Sequence, residues 1–177
     1  DLLRRAGRGS VARGRDLPMD SRTGLLRLAV RRSYFVTPVP ADKLRVLFVC
    51  VENSNRSQMA EAFARLHGGT RFEAWSAGSR PSGQVNSRAV VSMRERGYDL
   101  STHTSKSLDE LPAVEFDVAV TMGCGDACPL VRARVREDWQ IPDPRVMDAE
   151  AFRGVRDLIE TRVRGLLSRL AHDSAAR

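Results

Sequence analysis

Leu44-Arg45-Val46-Leu47-Phe48-Val49-Cys50-Val51-Glu52-Asn53-Ser54-Asn55-Arg56-Ser57-Gln58-Met59-Ala60-Glu61-Ala62-Phe63-Ala64-Arg65 passes from a near-continuous apolar run, through a polar turn, into a helical pattern. The run has the composition of a strand buried on both faces of a parallel sheet. Met59, Phe63 and Leu66 recur at helical spacing, and Gly68-Gly69 ends that helix. Cys50 and Arg56 therefore share one strand-to-helix turn. The first amides of a helix lack intrahelical partners and carry partial positive charge, so such a turn suits an anion. A thiolate held there is stabilised and nucleophilic, and Arg56 would hold a tetrahedral oxyanion through two parallel hydrogen bonds. Ser57 is placed to cap the helix. The spacing Cys-x5-Arg says little alone in a chain this rich in arginine; the strand before it and the helix after it give it weight over a buried structural cysteine.

The same alternation continues downstream. Phe72 to Ser76 reads as a second short strand, closed by Ala77-Gly78-Ser79-Arg80-Pro81. Asn86 to Arg96 reads as a helix stopped by Gly97, Phe116 to Met122 as a third strand, and Glu137 to Ile141 as a fourth. A long amphipathic helix runs from about Asp148 to Ala171, with Phe152, Val155, Ile159, Val163, Leu166, Leu167 and Leu170 on one face. Strands alternating with helices imply an α/β fold with a parallel sheet, right-handed crossovers and helices on both faces. Sites in such folds open at the carboxyl ends of strands, where Cys50, Gly123-Cys124 and Asp143 all fall.

A chain of 177 residues, 42% hydrophobic, suits one globular domain plus an appendage. Its three cysteines, without a signal-peptide pattern or an apolar run long enough to span a bilayer, argue against a secreted disulfide framework and a membrane span, and a cytosolic protein is expected. The net charge of +7 invites nucleic acid, but residues 1–40 hold nine arginines against Asp1, Asp16 and Asp20, which accounts for nearly all of it. That segment lacks sustained periodicity and reads as disordered. Its acids weaken an organelle-targeting reading, and its lack of aromatic or motif content weakens an RNA-binding one. A fragment, or sequence upstream of the true start, is favoured. The expected division is a basic extension over 1–42 and a catalytic domain over 43–172.

Two further stretches bear on chemistry. Asp143, in Ile141-Pro142-Asp143-Pro144-Arg145, sits on a loop stiffened by prolines; with Cys50 nearby it gains a role as proton donor to a departing oxygen over that of a turn former. Thr121-Met122-Gly123-Cys124-Gly125-Asp126-Ala127-Cys128-Pro129 carries two thiols where a strand empties into a glycine-rich loop. They are either a disulfide-forming pair or two independent reduced cysteines. On a regular helix their Cβ atoms would stand about 6 Å apart, beyond the ~3.8 Å of a disulfide, so pairing requires that turn to unwind. Zinc is not expected, since His67, His103 and His172 are scattered and no second cysteine pair exists.

Val49 through Gln58, Ser76-Ala77-Gly78, Thr121 through Asp126, and Asp143-Pro144 together resemble the arsenate reductases built on the low-molecular-weight protein tyrosine phosphatase fold. The likeness spans about residues 43 to 171. Ser57-Gln58 is similar to the reductase branch, since the phosphatase branch usually has proline where Gln58 stands. The resemblance implies a three-layer fold, a four-stranded parallel sheet flanked by helices. It implies that Cys50 attacks arsenate, that Arg56 binds its oxygens in a loop comprising Val51, Glu52, Asn53, Ser54, Asn55, Arg56 and Ser57, and that Asp143 assists loss of water. Cys124 would then attack Cys50, releasing arsenite, and Cys128 would attack Cys124, leaving a disulfide for thioredoxin or a low-molecular-weight thiol.

The chain departs from the family pattern in three places. Glu52 stands where glycine is usual, Asn55 where cysteine is frequent, and Cys-x3-Cys is a shorter redox pair than in thioredoxin-coupled members. Some members also bind potassium through residues matching Asn53, Glu61, Ser76 and a position near Ser105-Lys106. Here Lys106 would supply a fixed positive charge, so neither a metal nor another cofactor is expected. The alternatives are a phosphatase forming a cysteinyl-phosphate with Cys50, Arg56 and Asp143, and an anion-sensing module without turnover.

Overall fold

The computed structural model describes residues 43–123 and 131–175; the expectations for the basic segment 1–42 and for Cys124 and Cys128 lie outside them. In chain order the elements are β1 (Leu44–Cys50), α1 (Arg56–Gly68), β2 (Phe72–Gly78), α2 (Ser87–Arg94), β3 (Phe116–Thr121), β4 (Ala133–Asp138) and α3 (Ala149–Ala175), with short 3-10 turns between several of them. The strands form one parallel sheet in the order β2-β1-β3-β4. β1 lies inside the sheet, and Val46 through Val49 are fully buried, as its unbroken apolar run requires.

Residues alternate across the strands, so the sheet divides the core in two. Val46 and Phe48 of β1 share one cluster with Met59 and Phe63 of α1, Ala89 and Met93 of α2, and Phe152, Ile159, Val163 and Leu166 of α3. Leu47 and Val49 face the other way, into a smaller cluster with Ala77, Phe116 and Ala119. Among the described residues, that second face is covered by Leu108, Leu111 and Val114, which belong to the β2-to-β3 crossover and its 3-10 turns, rather than by an α-helix. The expected flanking of the sheet on both faces is thus met by a helical layer on one side and a turn-rich segment on the other. Trp75 and Phe116 close this smaller core edge to face, with ring centroids 5.5 Å apart.

One element differs from the sequence reading. The fourth strand is Ala133–Asp138, not Glu137 to Ile141. Among the described residues it pairs only with β3, and at that edge of the sheet it can expose Arg134, Val135 and Arg136, so it carries little of the apolar signal by which a strand is found. Trp139 and Ile141 are buried as expected of apolar residues, but as anchors of the loop that follows the strand. α3 buries the predicted face, and none of the described helices is long and apolar enough to cross a membrane.

Candidate active site

The carboxyl ends of β1, β3 and β4 converge where Cys50, Arg56 and Asp143 meet, as their positions after strands imply. The loop between β1 and α1 folds back tightly against the end of β2. A Cβ on Gly78 would stand 2.7 Å from the Val51 carbonyl oxygen and 2.9 Å from the Asn53 nitrogen, so only glycine admits this approach. Asn53 takes a left-handed backbone conformation with φ 48°, which asparagine tolerates better than most side-chain-bearing residues.

Asn53 is fully buried and organises the floor of the site. Its Oδ1 accepts from the Lys106 backbone N–H at 2.9 Å and from Gln58 Nε2 at 2.8 Å. A backbone N–H can only donate, so the amide orientation is settled: Nδ2 faces the other way and donates to Ser57 Oγ at 2.9 Å and Ser76 Oγ at 2.8 Å. Ser57 Oγ, already accepting from Asn53, keeps its own hydroxyl hydrogen for Cys50 Sγ, 2.9 Å away. The Asn53 backbone N–H adds a second donor to the same sulfur at 3.2 Å. Two hydrogen bonds therefore point at a buried Sγ and fix its position at the floor of the site.

This corrects one sequence expectation. Ser57 does not cap α1: the helix starts at Arg56, and Asn55 at the cap makes no side-chain capping bond. The hydroxyl serves the sulfur instead. No side-chain cap thus competes for the first amides of the helix, which suits an anion at this turn.

Behind Asn53 lies a line of groups that sequence reading did not connect. Gln58 Nε2 donates to the Asn53 and Thr104 carbonyls, so Gln58 Oε1 must accept from His103 Nδ1 at 2.8 Å. His103 Nε2, 3.0 Å from the Tyr98 hydroxyl, is then the acceptor of a neutral imidazole. Burial pushes the His103 pKa below its usual value, which sustains that neutral form. A lone histidine after a 3-10 turn gives no sequence signal for this part; only the fold brings it to Gln58.

Glu61 is a buried carboxylate near the loop. Ser76 Oγ donates to its Oε2 at 2.5 Å, Lys106 Nζ stands 3.6 Å from the same oxygen, and Arg65 pairs with Oε1 at 2.5 Å. The fixed charge expected of Lys106 is in place. A potassium ion does not fit this group, because both carboxylate oxygens already face cationic side chains. Among the described residues no cluster of three or more His, Cys, Asp or Glu is arranged to hold a metal.

Arg56 is buried and anchored from behind. Nη1 donates to the carbonyls of Met122 at 2.8 Å and Ile141 at 3.0 Å, and Nη2 lies 3.3 Å from Asp143 Oδ2. Its five N–H groups are not exhausted by these bonds: Nε–H and the second Nη2–H form the edge available for bidentate contact with an oxyanion. Asp143 is half exposed and is steadied through Oδ1, which accepts from the Arg145 backbone N–H at 3.1 Å. A cavity of about 230 Å³ opens between Cys50, Glu52, Arg56, Arg80, Asp143 and Arg145. Val51, Ser54 and Asn55 complete its wall, and Asn55 Oδ1 is buried without a hydrogen-bond partner among the described residues. Arg80 and Arg145 were not singled out from sequence, although Arg145 follows Asp143-Pro144 directly.

Residues 45–176 match the family model for low molecular weight phosphotyrosine protein phosphatases. A curated relative, the glutaredoxin arsenate reductase of Synechocystis, is 38% identical over 130 residues, 72% of this chain and 98% of the relative. A solved structure of an arsenate reductase in the phosphate-binding state superposes with a TM-score of 0.66 at 38% identity, covering 71% of this chain and 98% of that one. The thioredoxin-dependent arsenate reductase of Corynebacterium glutamicum superposes with a TM-score of 0.61 at 30% identity, over 75% of this chain and 64% of its own.

Proposed function

The chain belongs to the low molecular weight phosphotyrosine protein phosphatase family, and from that premise we propose that it is an arsenate reductase whose attacking group is Cys50. Cys50 Sγ attacks arsenic; an S–As bond forms as an As–O bond breaks, and Asp143 gives the proton with which that oxygen leaves as water. The remaining oxygens face the loop amides and the open edge of Arg56, which stabilise charge as it develops. Arsenic is still As(V) in this adduct. The Cys124 thiolate then attacks Cys50 Sγ; the S–S bond forms, the S–As electron pair stays on arsenic, and arsenite departs as As(III). Cys128 attacks Cys124 and expels Cys50 as thiolate, leaving a Cys124–Cys128 disulfide. Thioredoxin or a low-molecular-weight thiol supplies the two electrons that reopen it, in the reducing environment of the cytoplasm.

The observation that carries this reading is the Arg56 bond to the Met122 carbonyl at 2.8 Å. Cys124 follows Met122 by two residues in the sequence, and it is the thiol to which we assign the second attack. A phosphatase needs no such thiol. The similarity to arsenate reductases over nearly their whole length supports the same choice.

The test is arsenate-dependent consumption of reductant, with thioredoxin and its reductase or with glutathione and glutaredoxin. Cys50→Ser and Cys124→Ser each abolish it; turnover that survives Cys124→Ser contradicts the reading. The second reading, a phosphatase, is favoured by the sufficiency of Cys50, Arg56 and Asp143 for a cysteinyl-phosphate. It requires robust monoester hydrolysis in the Cys124→Ser, Cys128→Ser double variant.

A further inference from the structure

Glu52 is the one carboxylate inside the anion loop. Its side chain is turned outward to the rim, where Oε1 accepts from Arg145 Nη2 and Oε2 from Ser54 Oγ at 3.3 Å. Its backbone is fixed independently, because its carbonyl accepts from the Ser82 N–H at 3.0 Å and from Ser105 Oγ at 2.9 Å. Arg145 is held at the main chain too: Arg88 of α2 donates to its carbonyl at 3.4 Å and to the Met147 carbonyl. Two fixed backbones thus extend oppositely charged side chains toward each other across the mouth of the cavity that holds Cys50 and Asp143.

We propose that the Glu52–Arg145 pair is a specificity-determining clasp that favours a free tetrahedral oxyanion over a phosphate or arsenate monoester. The proposal rests on the Cys50 loop being the oxyanion site. An anion seated on the loop turns three oxygens to the amides and Arg56, and its fourth substituent away from Sγ toward Asp143. In an inorganic anion that substituent is a single oxygen and fits beneath the pair. In a monoester it carries an organic group, which leaves the cavity only if Glu52 and Arg145 separate. Both side chains are partly exposed, at 31% and 58%, so separation is cheap and the discrimination modest. An exposed ion pair is worth at most about 1 kcal/mol, which sets a ceiling of about fivefold. The pair also explains why a carboxylate is tolerated beside an anion: Arg145 neutralises it.

The test is calorimetric binding to the reduced full chain of two probes, inorganic phosphate and phenylphosphonate, a monoester mimic that cannot be hydrolysed. The parent chain should prefer phosphate. Glu52→Gln and Arg145→Gln should each narrow that preference by about three- to fivefold, and the double variant should narrow it no further, because the two side chains act as one unit. An unchanged ratio in both single variants overturns the clasp, as do additive effects. Equal tightening of both ligands in Glu52→Gln also overturns it, since that would mark simple repulsion by the carboxylate. A parent chain that binds neither anion overturns the oxyanion site together with the clasp. A narrowed preference in a chain that fails to reduce arsenate supports the clasp and refutes the reductase reading alone.

Discussion

The floor of the Cys50 site and its mouth use similar polar side chains under opposite conditions. On the floor, Asn53, Ser57, Gln58 and Ser76 are all fully buried, and each polar group has a fixed partner. At the mouth, Glu52, Asp143 and Arg145 are partly exposed and meet through ion pairs that water weakens. Burial makes the floor expensive to alter, because every lost partner leaves an unsatisfied group in a dry interior. Exposure leaves the mouth adjustable. The difference teaches where each property would reside: the hydrogen bonds to Cys50 Sγ belong to the rigid part, and under the proposed clasp the choice among anions belongs to the soft part.

Arg56 joins the two regions, so altering it should have the largest effect. Arg56→Lys keeps the charge but cannot hold Met122, Ile141 and Asp143 while presenting a two-pronged edge. Turnover with arsenate should fall about 10²–10³-fold; a loss below tenfold would mean that the open edge does not face the substrate. Next comes the floor itself. Asn53→Ala strands the Lys106 N–H, removes the donor to Ser57 and Ser76, and leaves the left-handed backbone without asparagine's tolerance, for a loss of about 2–4 kcal/mol in denaturant unfolding. Asn53→Gly sharpens the result, since it relieves only the backbone and should recover only the smaller part of that loss.

The underside of the floor should respond to pH. Because burial lowers the folded-state pKa of His103, the unfolded chain binds its proton first. Stability should be level above the unfolded value of about 6.5, decline as pH falls below it, and level off again below the folded value. His103→Gln should flatten that decline in thermal melts recorded across pH 5 to 8, and an unaltered slope would remove His103 from the network. The smallest effect is expected from an exposed ion-pair group far from the site. Glu95 is held at a pKa of about 2, against an ordinary 4.5, by hydrogen bonds from Arg153 and then Arg156. Its contribution is present above about pH 4.5 and lost as pH falls toward 2. Glu95→Gln should therefore change thermal stability at neutral pH far less than Asn53→Ala does; an equal change would erase the contrast between buried and exposed polar groups.

Legibility from sequence followed the same division. The apolar run of β1 and the periodicity of α1 and α3 announce themselves because burial demands them. Cys50, Arg56 and Asp143 were placed near one rim because they end a strand, open the following helix and stand between prolines, respectively. Ser57 misled, since a serine at a helix start ordinarily caps it, and only the Asn53 amide orientation frees its hydroxyl for the sulfur. β4 was misplaced because an edge strand has no need of an apolar pattern. The His103–Gln58 bond and the Glu52–Arg145 pair join residues 45 and 93 positions apart, and no local rule pairs them.

The central claim, that Cys50 takes up arsenate and hands the resulting oxidation to Cys124, is tested most directly by mapping disulfides. Fully reduced protein exposed to stoichiometric arsenate without reductant, quenched with acid and alkylated, should yield a Cys124–Cys128 disulfide in the parent chain and a Cys50–Cys124 disulfide in Cys128→Ser. Recovery of all three thiols in the reduced state after arsenate exposure, beside undiminished monoester hydrolysis, would contradict the account.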